Sequence, residues 1–152
     1  MIIEKLTPEL VREYRSEIAR FYYDNLHECA CLEHYTYDEA YEKIGDFIAH
    51  LEVGTCVGFG LFEDKQICGF IWAYPHQFRE ENRMYINEIR VKEIYRNKGY
   101  GVALLGMVEK IARETGIGAV YLHAEANNSS AINFYEASGF ERERYQFRKE
   151  IT

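Results

Sequence analysis

The sequence predicts an α/β fold in one layer-packed domain, and three observations lead there. Apolar residues alternate between strand-like and helical spacing in the order strand, two helices, three strands, helix, strand, helix, strand. A length of 152 residues suits one domain, residues 1–152, and no repeat, low-complexity stretch or linker divides it. A glycine-bearing junction, Arg96-Asn97-Lys98-Gly99-Tyr100-Gly101, joins a strand directly to a helix.

The elements read as follows. Ile2 to Leu6 is a short strand. Thr7-Pro8 opens a helix, with Thr as N-cap and Pro at the first helical position, and the pattern Val11, Tyr14, Ile18, Phe21, Tyr22 carries it on. Thr36-Tyr37-Asp38-Glu39 has the form of a capping box, and Ala40, Ile44, Phe47, Ile48 and Leu51 keep helical spacing up to Gly54. Thr55 to Phe62 and Ile67 to Tyr74 are strands around the turn Glu63-Asp64-Lys65-Gln66, and Pro75 is expected to stop the second. The charged stretch Phe78 to Arg83 reads as loop, and Met84 to Val91 as strand. Tyr100 to Thr115 is a helix with Leu104, Leu105, Val108, Ile111 and Ala112 on one face, closed by Gly116 and Gly118. Ala119 to Ala124 is a strand, Ser129 to Ala137 a helix, and Gly139-Phe140 begins a final extended segment.

Charge and composition narrow the function. The net charge is −7, and residues 1–54 hold all of it, with 12 acidic against 5 basic side chains; the remainder holds 13 of each. Nucleic acid is therefore not an expected partner. The acidic first third either forms solvated helix faces or attracts a cationic ligand. No apolar run approaches a membrane span, and the opening Met1 to Leu6 is too short and too charged for a secretory signal, so no membrane association and a cytoplasmic location are expected. Cys29, Cys31, Cys56 and Cys68 then read as free thiols.

The glycine junction is the most informative segment. Glycines at a helix start let backbone N–H groups approach a ligand, and the helix N-terminus favours phosphate. Arg90, Lys92, Arg96 and Lys98 cluster there in sequence against one acid, Glu93, a local basic patch suited to a pyrophosphate. A Walker-type loop needs Gly-Lys-Ser/Thr, which is absent, and a dinucleotide fingerprint needs glycine where Leu104 stands. An ordinary tight strand-to-helix turn is the alternative.

Arg96 to Gly101 match the Arg/Gln-x-x-Gly-x-Gly/Ala signature, and Ile89 to Tyr95 look like the strand before it, so the chain resembles the GNAT superfamily of N-acetyltransferases. Asn128-Ser129-Ser130-Ala131, followed by Tyr135 and Gly139-Phe140, is similar to that family's second hallmark. The resemblance covers roughly residues 84–140. It implies a central mixed twisted sheet, splayed between the fourth and fifth strands and flanked by helices on both faces. It further implies acetyl-CoA as cosubstrate. Backbone amides of Arg96, Asn97, Lys98, Gly99, Tyr100 and Gly101 would then hold the pyrophosphate. Ile89 and Val91 would border the pantetheine, and Asn128 would reach the CoA arm. Tyr135 would protonate the departing thiolate; a phenol ordinarily titrates near pH ~10 and is protonated at neutral pH. Dimerisation is common in the family, so a homodimer is possible.

The implied reaction is direct acetyl transfer to a primary amine in a ternary complex. An alkyl amine is mostly protonated at neutral pH, so a base must take a proton before attack. Glu88 is the first candidate, although strand alternation places it opposite Val91 unless a bulge intervenes. Tyr85 and Asn87 compete for the neighbouring position, Glu125 is the second choice, and a water chain is the remaining route. Asp24, Glu28, Glu33, Asp38, Glu39 and Glu42 favour a small cationic acceptor such as a polyamine or aminosugar; a peptide N-terminus or lysine side chain is the other class. A non-catalytic acetyl-CoA-binding or sensing module is the alternative function. No metal is expected, because His27-Glu28-Cys29-Ala30-Cys31-Leu32-Glu33-His34 fits no common zinc spacing. Cys56, Cys68 and Trp72 read as core residues, and His76 and His123 as surface or core.

Overall fold

A computed structural model describes residues 1–29 and 32–152. Its elements are β1 (Ile2–Lys5), α1 (Pro8–Glu13), α2 (Arg15–Cys29), α3 (Tyr37–Glu52), β2 (Val57–Glu63), β3 (Gln66–Phe78), β4 (Glu81–Val91), α4 (Tyr100–Glu114), β5 (Ala119–Tyr121) and α5 (Ser129–Ala137), with a 3-10 turn at Glu93–Tyr95. The sheet runs in sequence order, β1 to β5, antiparallel through β4 and parallel between β4 and β5.

Local chemistry accounts for most boundaries. Thr36 accepts from the Glu39 N–H at 3.2 Å while the Glu39 carboxylate accepts from the Thr36 N–H at 2.7 Å, so the capping box forms and α3 starts where its sequence signals it. The β2–β3 turn places Asp64 and Lys65 both at positive φ, the pairing that matches the twist of a tight hairpin. The single helix expected from Pro8 to Tyr22 is two helices. Tyr14 leaves helical geometry while its hydroxyl donates to the Lys65 carbonyl at 2.8 Å and its ring packs on Phe62.

Three further expectations are corrected. Pro75 does not stop β3: β2 pairs with it only as far as Ala73, so Pro75 sits where β3 has a neighbour on one side alone, an edge setting that tolerates proline. Residues 78–83 are not loop; β3 and β4 pair to Phe78↔Glu81 around a turn that holds Arg79 in the left-handed region. Residues after Gly139 form no strand, and β5 ends at Tyr121 rather than Ala124.

The sheet separates two apolar clusters. Leu6, Ile18, Phe21, Ile44, Phe47, Phe70 and Trp72 pack with α1, α2 and α3 on one face. Ile71, Met84, Ile86, Leu104, Leu105 and Val108 pack with α4 on the other. Cys56 and Cys68 are free, buried thiols, and burial pushes the Cys56 thiol up to about 12. Among the described residues, no helix is long and apolar enough to cross a membrane.

Candidate active site

β4 carries the centre of the site, and one irregularity decides which way its side chains face. Trp72 of β3 pairs with Glu88 while the next residue, Ala73, pairs with Ile86, so Asn87 is an extra residue in β4. Such a bulge shifts the alternation by one. Met84, Ile86, Ile89 and Val91 therefore all meet the α4 cluster, whereas Glu88 and Arg90 reach α2. From Glu88 to Val91 the register is regular, and Glu88 lies on the face opposite Val91.

Glu88 is the one buried charged side chain among the described residues. The Asn25 amide donates to its carboxylate at 2.7 Å, the Asn25 carbonyl accepts from Arg90 at 2.9 Å, and Arg90 pairs with Glu28 at 2.5 Å. Burial dominates the electrostatics and drives the Glu88 carboxyl up to about 8; the Asn25 hydrogen bond and the Arg90 charge pull it partly back. Tyr22, on the same stripe of α2, is pushed above its ordinary range by burial and then by the Glu88 charge. Tyr85 stands next along β4, its ring against Tyr74, Tyr121 and His123.

Beside this the strand pairing opens. β4 and β5 pair at Arg83↔Ala119, Met84↔Val120 and Tyr85↔Tyr121 and nowhere further, so β4 from Ile86 to Val91 has β3 on one side and no strand on the other. The splay expected between the fourth and fifth strands is therefore present. Among the described residues, the buried side-chain oxygen of Asn87, in the bulge, has no hydrogen-bond partner. The unpaired flank of β4 leaves backbone groups that an extended ligand with its own donors and acceptors can meet. Gly69 permits the close approach of β3, since a Cβ there would lie 2.7 Å from the Arg90 carbonyl oxygen.

The unpaired part of β4 leads through Val91 to the glycine junction. Gly99 caps α4 at φ +83°, Asn97 is also left-handed at φ +59°, and no side chain caps the first turn of α4. That end presents free N–H groups with the positive end of the helix dipole. The Arg96 Nε donates to the Val91 carbonyl at 3.0 Å, tying the loop to the strand end, and Lys98 lies over the Tyr95 ring. Gly101 is needed for packing: a Cβ there would meet the Phe134 ring of α5 at 2.9 Å. Asn128 caps α5 by accepting from the Ala131 N–H at 3.1 Å. Tyr135, one helical turn beyond Ala131, packs against Phe134 and Phe140.

Some sequence candidates separate. Arg90 and Lys92 do not join the loop: Arg90 turns to Asn25 and Glu28, and Lys92 lies over the Phe21 ring of α2, so only Arg96 and Lys98 of the basic run remain there. Alternation is the reason for Arg90. Glu125 is exposed in the turn before α5, away from the buried network. His76 bonds Tyr121, and Trp72 stacks on Phe47 in the core. Of the His27-to-His34 segment, Ala30 and Cys31 lie outside the described residues. Sequence reasoning missed Tyr22 and Asn25. Their signal was present as a polar run at three-residue spacing, Tyr22, Asn25 and Glu28, on a helix otherwise read for its apolar face.

Named relatives that the chain is similar to include N-acetyltransferases. The chain is 32% identical over 78 residues to an uncharacterized N-acetyltransferase, YycN, of Bacillus subtilis (strain 168), covering 51% of this chain and 50% of that one. It is 38% identical to the L-ornithine N5-acetyltransferase of Arabidopsis thaliana over 50% of this chain and 34% of that one. Identity to N-alpha-acetyltransferase 50 of Danio rerio is 33% over 60% of this chain and 54% of that one. The matches thus span between about a third and about half of these relatives' lengths. A Bacillus halodurans protein shares the fold with a TM-score of 0.84 at 16% identity over the whole of both chains. An aminoglycoside acetyltransferase from an uncultured soil metagenomic sample, in complex with sisomicin, shares it with a TM-score of 0.75 at 15% identity over 99% of this chain and 96% of that one. The family model of the acetyltransferase (GNAT) family matches residues 11–140, and the chain belongs to that family.

Proposed function

We propose that this protein transfers the acetyl group of acetyl-CoA directly to a primary amine held in a ternary complex, with Glu88 as general base and Tyr135 as general acid. The observation that carries the reading is Glu88 itself. It is a buried carboxyl raised to about 8, held by Asn25, on the strand that borders the splay. A carboxyl poised there can take a proton from an ammonium near neutral pH, which an ordinary solvated carboxylate does poorly. Tyr135 places a phenol on α5, the helix that Asn128 caps, to donate to the sulfur that leaves.

Acetyl-CoA supplies the activated acyl group; the chain supplies its seat. Ile89 and Val91 border the unpaired flank of β4. Arg96, Asn97, Lys98, Gly99, Tyr100 and Gly101 form the turn whose N–H groups suit a pyrophosphate, and Asn128 stands at the start of α5. Holding both reactants in one geometry supplies much of the acceleration.

The acceptor is a cationic small amine or a peptide amine. Relatives carry names that specify ornithine and N-alpha acetylation, and a structural neighbour is an aminoglycoside acetyltransferase. Glu28 reaches the Glu88 network through Arg90, Asp24 precedes Asn25 on α2, and Tyr22 and Tyr35 pack ring to ring beside it. Acids so placed suit a protonated amine. Free thiols at Cys56 and Cys68 are in keeping with a cytoplasmic setting.

Calorimetric titration with acetyl-CoA, beside a Gly99→Glu variant, followed by a CoA-release screen over small amines and peptides, tests the proposal. Binding lost in the variant, with CoA release from one amine class, is the expected result. Binding without release from any amine would leave a CoA-binding module. Absence of binding by folded protein would overturn the reading altogether.

A further inference from the structure

The turn between β4 and α4 is made of conformations that do not hold themselves. Asn97 and Gly99 both sit at positive φ, +59° and +83°, two left-handed positions within three residues. Such a geometry persists where neighbouring structure over-determines it. The backbone bonds of the connection stop short of it. Lys92 donates to the Cys68 carbonyl at 2.8 Å, Tyr95 to the Lys92 carbonyl at 2.9 Å and Arg96 to the Glu93 carbonyl at 3.1 Å. Among the described residues the next, from Ala103 to the Gly99 carbonyl at 3.0 Å, already belongs to α4. Nor does burial hold the turn: from Glu93 to Gly99 every residue but Tyr95 is exposed.

Tyr95 reaches back to the sheet. Its hydroxyl donates to the Glu63 carboxylate at 2.5 Å, the length of a charge-assisted bond. That hydrogen bond, and then burial, raises the phenol above its ordinary range, so the hydroxyl stays a donor through neutral pH. Glu63 is a firm anchor. It ends β2, pairs with Gln66 and precedes the tight turn in which Asp64 and Lys65 are both left-handed. The Cys68 thiol is the hydroxyl's second neighbour. A bulge places it there: Leu61 pairs with Gly69 while Phe62 pairs with Ile67, which leaves Cys68 the extra residue of β3. On the side of the turn, the Lys98 ammonium lies 5.6 Å over the Tyr95 ring. One side chain thus joins the β2–β3 hairpin to the turn, whereas the Arg96 bond to the Val91 carbonyl reaches back only five residues.

We infer, resting on acetyl-CoA as the donor proposed above, that Tyr95 is the positioning residue of this turn: its hydroxyl, gripped by Glu63, fixes residues 96–99 in advance in the shape that receives the pyrophosphate. Glycine permits a left-handed backbone but does not select it. A turn free to wander binds only while it holds the right shape, and the apparent Kd rises by the inverse of that fraction. The Tyr95–Glu63 bond keeps the fraction near one. Tyr95 acts through the backbone N–H groups of the turn it carries rather than on the reacting atoms.

Tyr95→Phe deletes the hydroxyl and keeps the ring. Calorimetry should show the Kd for acetyl-CoA raised about tenfold, with kcat at saturation near wild type. Hydrogen exchange in the unliganded protein should quicken over residues 96–101. The decisive comparison uses acetyl-pantetheine, a thioester without the pyrophosphate, whose kcat/KM should be equal in wild type and variant. Glu63→Gln keeps an acceptor oxygen and should restore part of the affinity that Glu63→Ala loses. Tyr95→Phe combined with Glu63→Ala should lose no more than either alone. An acetyl-CoA Kd in Tyr95→Phe equal to that of wild type overturns the inference and leaves the proposed function standing. So does an equal loss with acetyl-pantetheine, which marks general damage to the fold. Failure of the folded wild type to bind acetyl-CoA at all sinks the proposed function itself, and this inference with it.

Discussion

Replacing Glu88 by Gln keeps the shape and the acceptor oxygen that receives the Asn25 amide, and removes the ability to take a proton. General-base contributions are typically 10²–10⁴-fold, so kcat/KM should fall by about that factor while acetyl-CoA affinity stays near wild type. The pH dependence is the sharper readout. With the carboxyl at about 8, roughly a tenth is ionised at pH 7 and roughly nine-tenths at pH 9, a rise in rate of about tenfold. The acceptor amine deprotonates over the same range, so the ratio of wild-type to variant rates isolates the carboxyl, and that ratio should climb about tenfold and level off above pH 9. Stability should move the other way. The folded carboxyl binds its proton more tightly than the unfolded one, whose value is near 4.5, so the wild type is most stable below pH 4.5 and loses up to ~5 kcal/mol as pH rises to about 8. Glu88→Gln lacks this term, and its melting temperature relative to wild type should rise across that window. A flat rate ratio together with a variant of full activity would refute Glu88 as the base.

Other perturbations read separate parts of the site. Asn25→Leu removes a hydrogen bond that lowers the Glu88 carboxyl, so the rising limb of the rate profile should move above pH 8. Gly99→Ala places a Cβ in open space but forces a left-handed residue, at about 1–2 kcal/mol; melting should drop roughly 2–8 °C and calorimetry should show weaker acetyl-CoA binding. Tyr135→Phe should lower kcat by about 10² with little change in acetyl-CoA affinity, measured by CoA release and calorimetry. Thr36→Ala opens the α3 capping box and should cost about 1 kcal/mol in denaturant unfolding with catalysis unchanged.

The fold was legible where local chemistry and apolar period coincide. Thr36 and Glu39 marked α3, and the Leu104, Leu105, Val108 and Ala112 face marked α4 to within a residue. The β3–β4 hairpin was not legible, because its turn puts Arg79 in a conformation that glycine or asparagine normally signals. The candidate site divides in the same way. The junction from Arg96 to Gly101 announces itself through two glycines, whereas Asn25 and Tyr22 reach Glu88 only through tertiary packing of α2. Alternation alone set Glu88 opposite Val91, whereas the direction of Met84 and Ile86 rested on a bulge: Asn87 became the extra residue only through the pairing of Trp72 and Ala73.

That extra residue also governs what the fold can tolerate. Deleting Asn87 alone would turn everything on one side of it over, driving Arg90 toward Leu104 and Leu105 or forcing Ile86 and Met84 out among the tyrosines. Length changes in the central strand are therefore closed to this lineage. The layer of α1, α2 and α3 shares little apolar packing with that of α4, so substitutions in one should add to those in the other with little coupling. A directed library can therefore vary the two layers separately, provided Asn25, which holds Glu88 from α2, is kept.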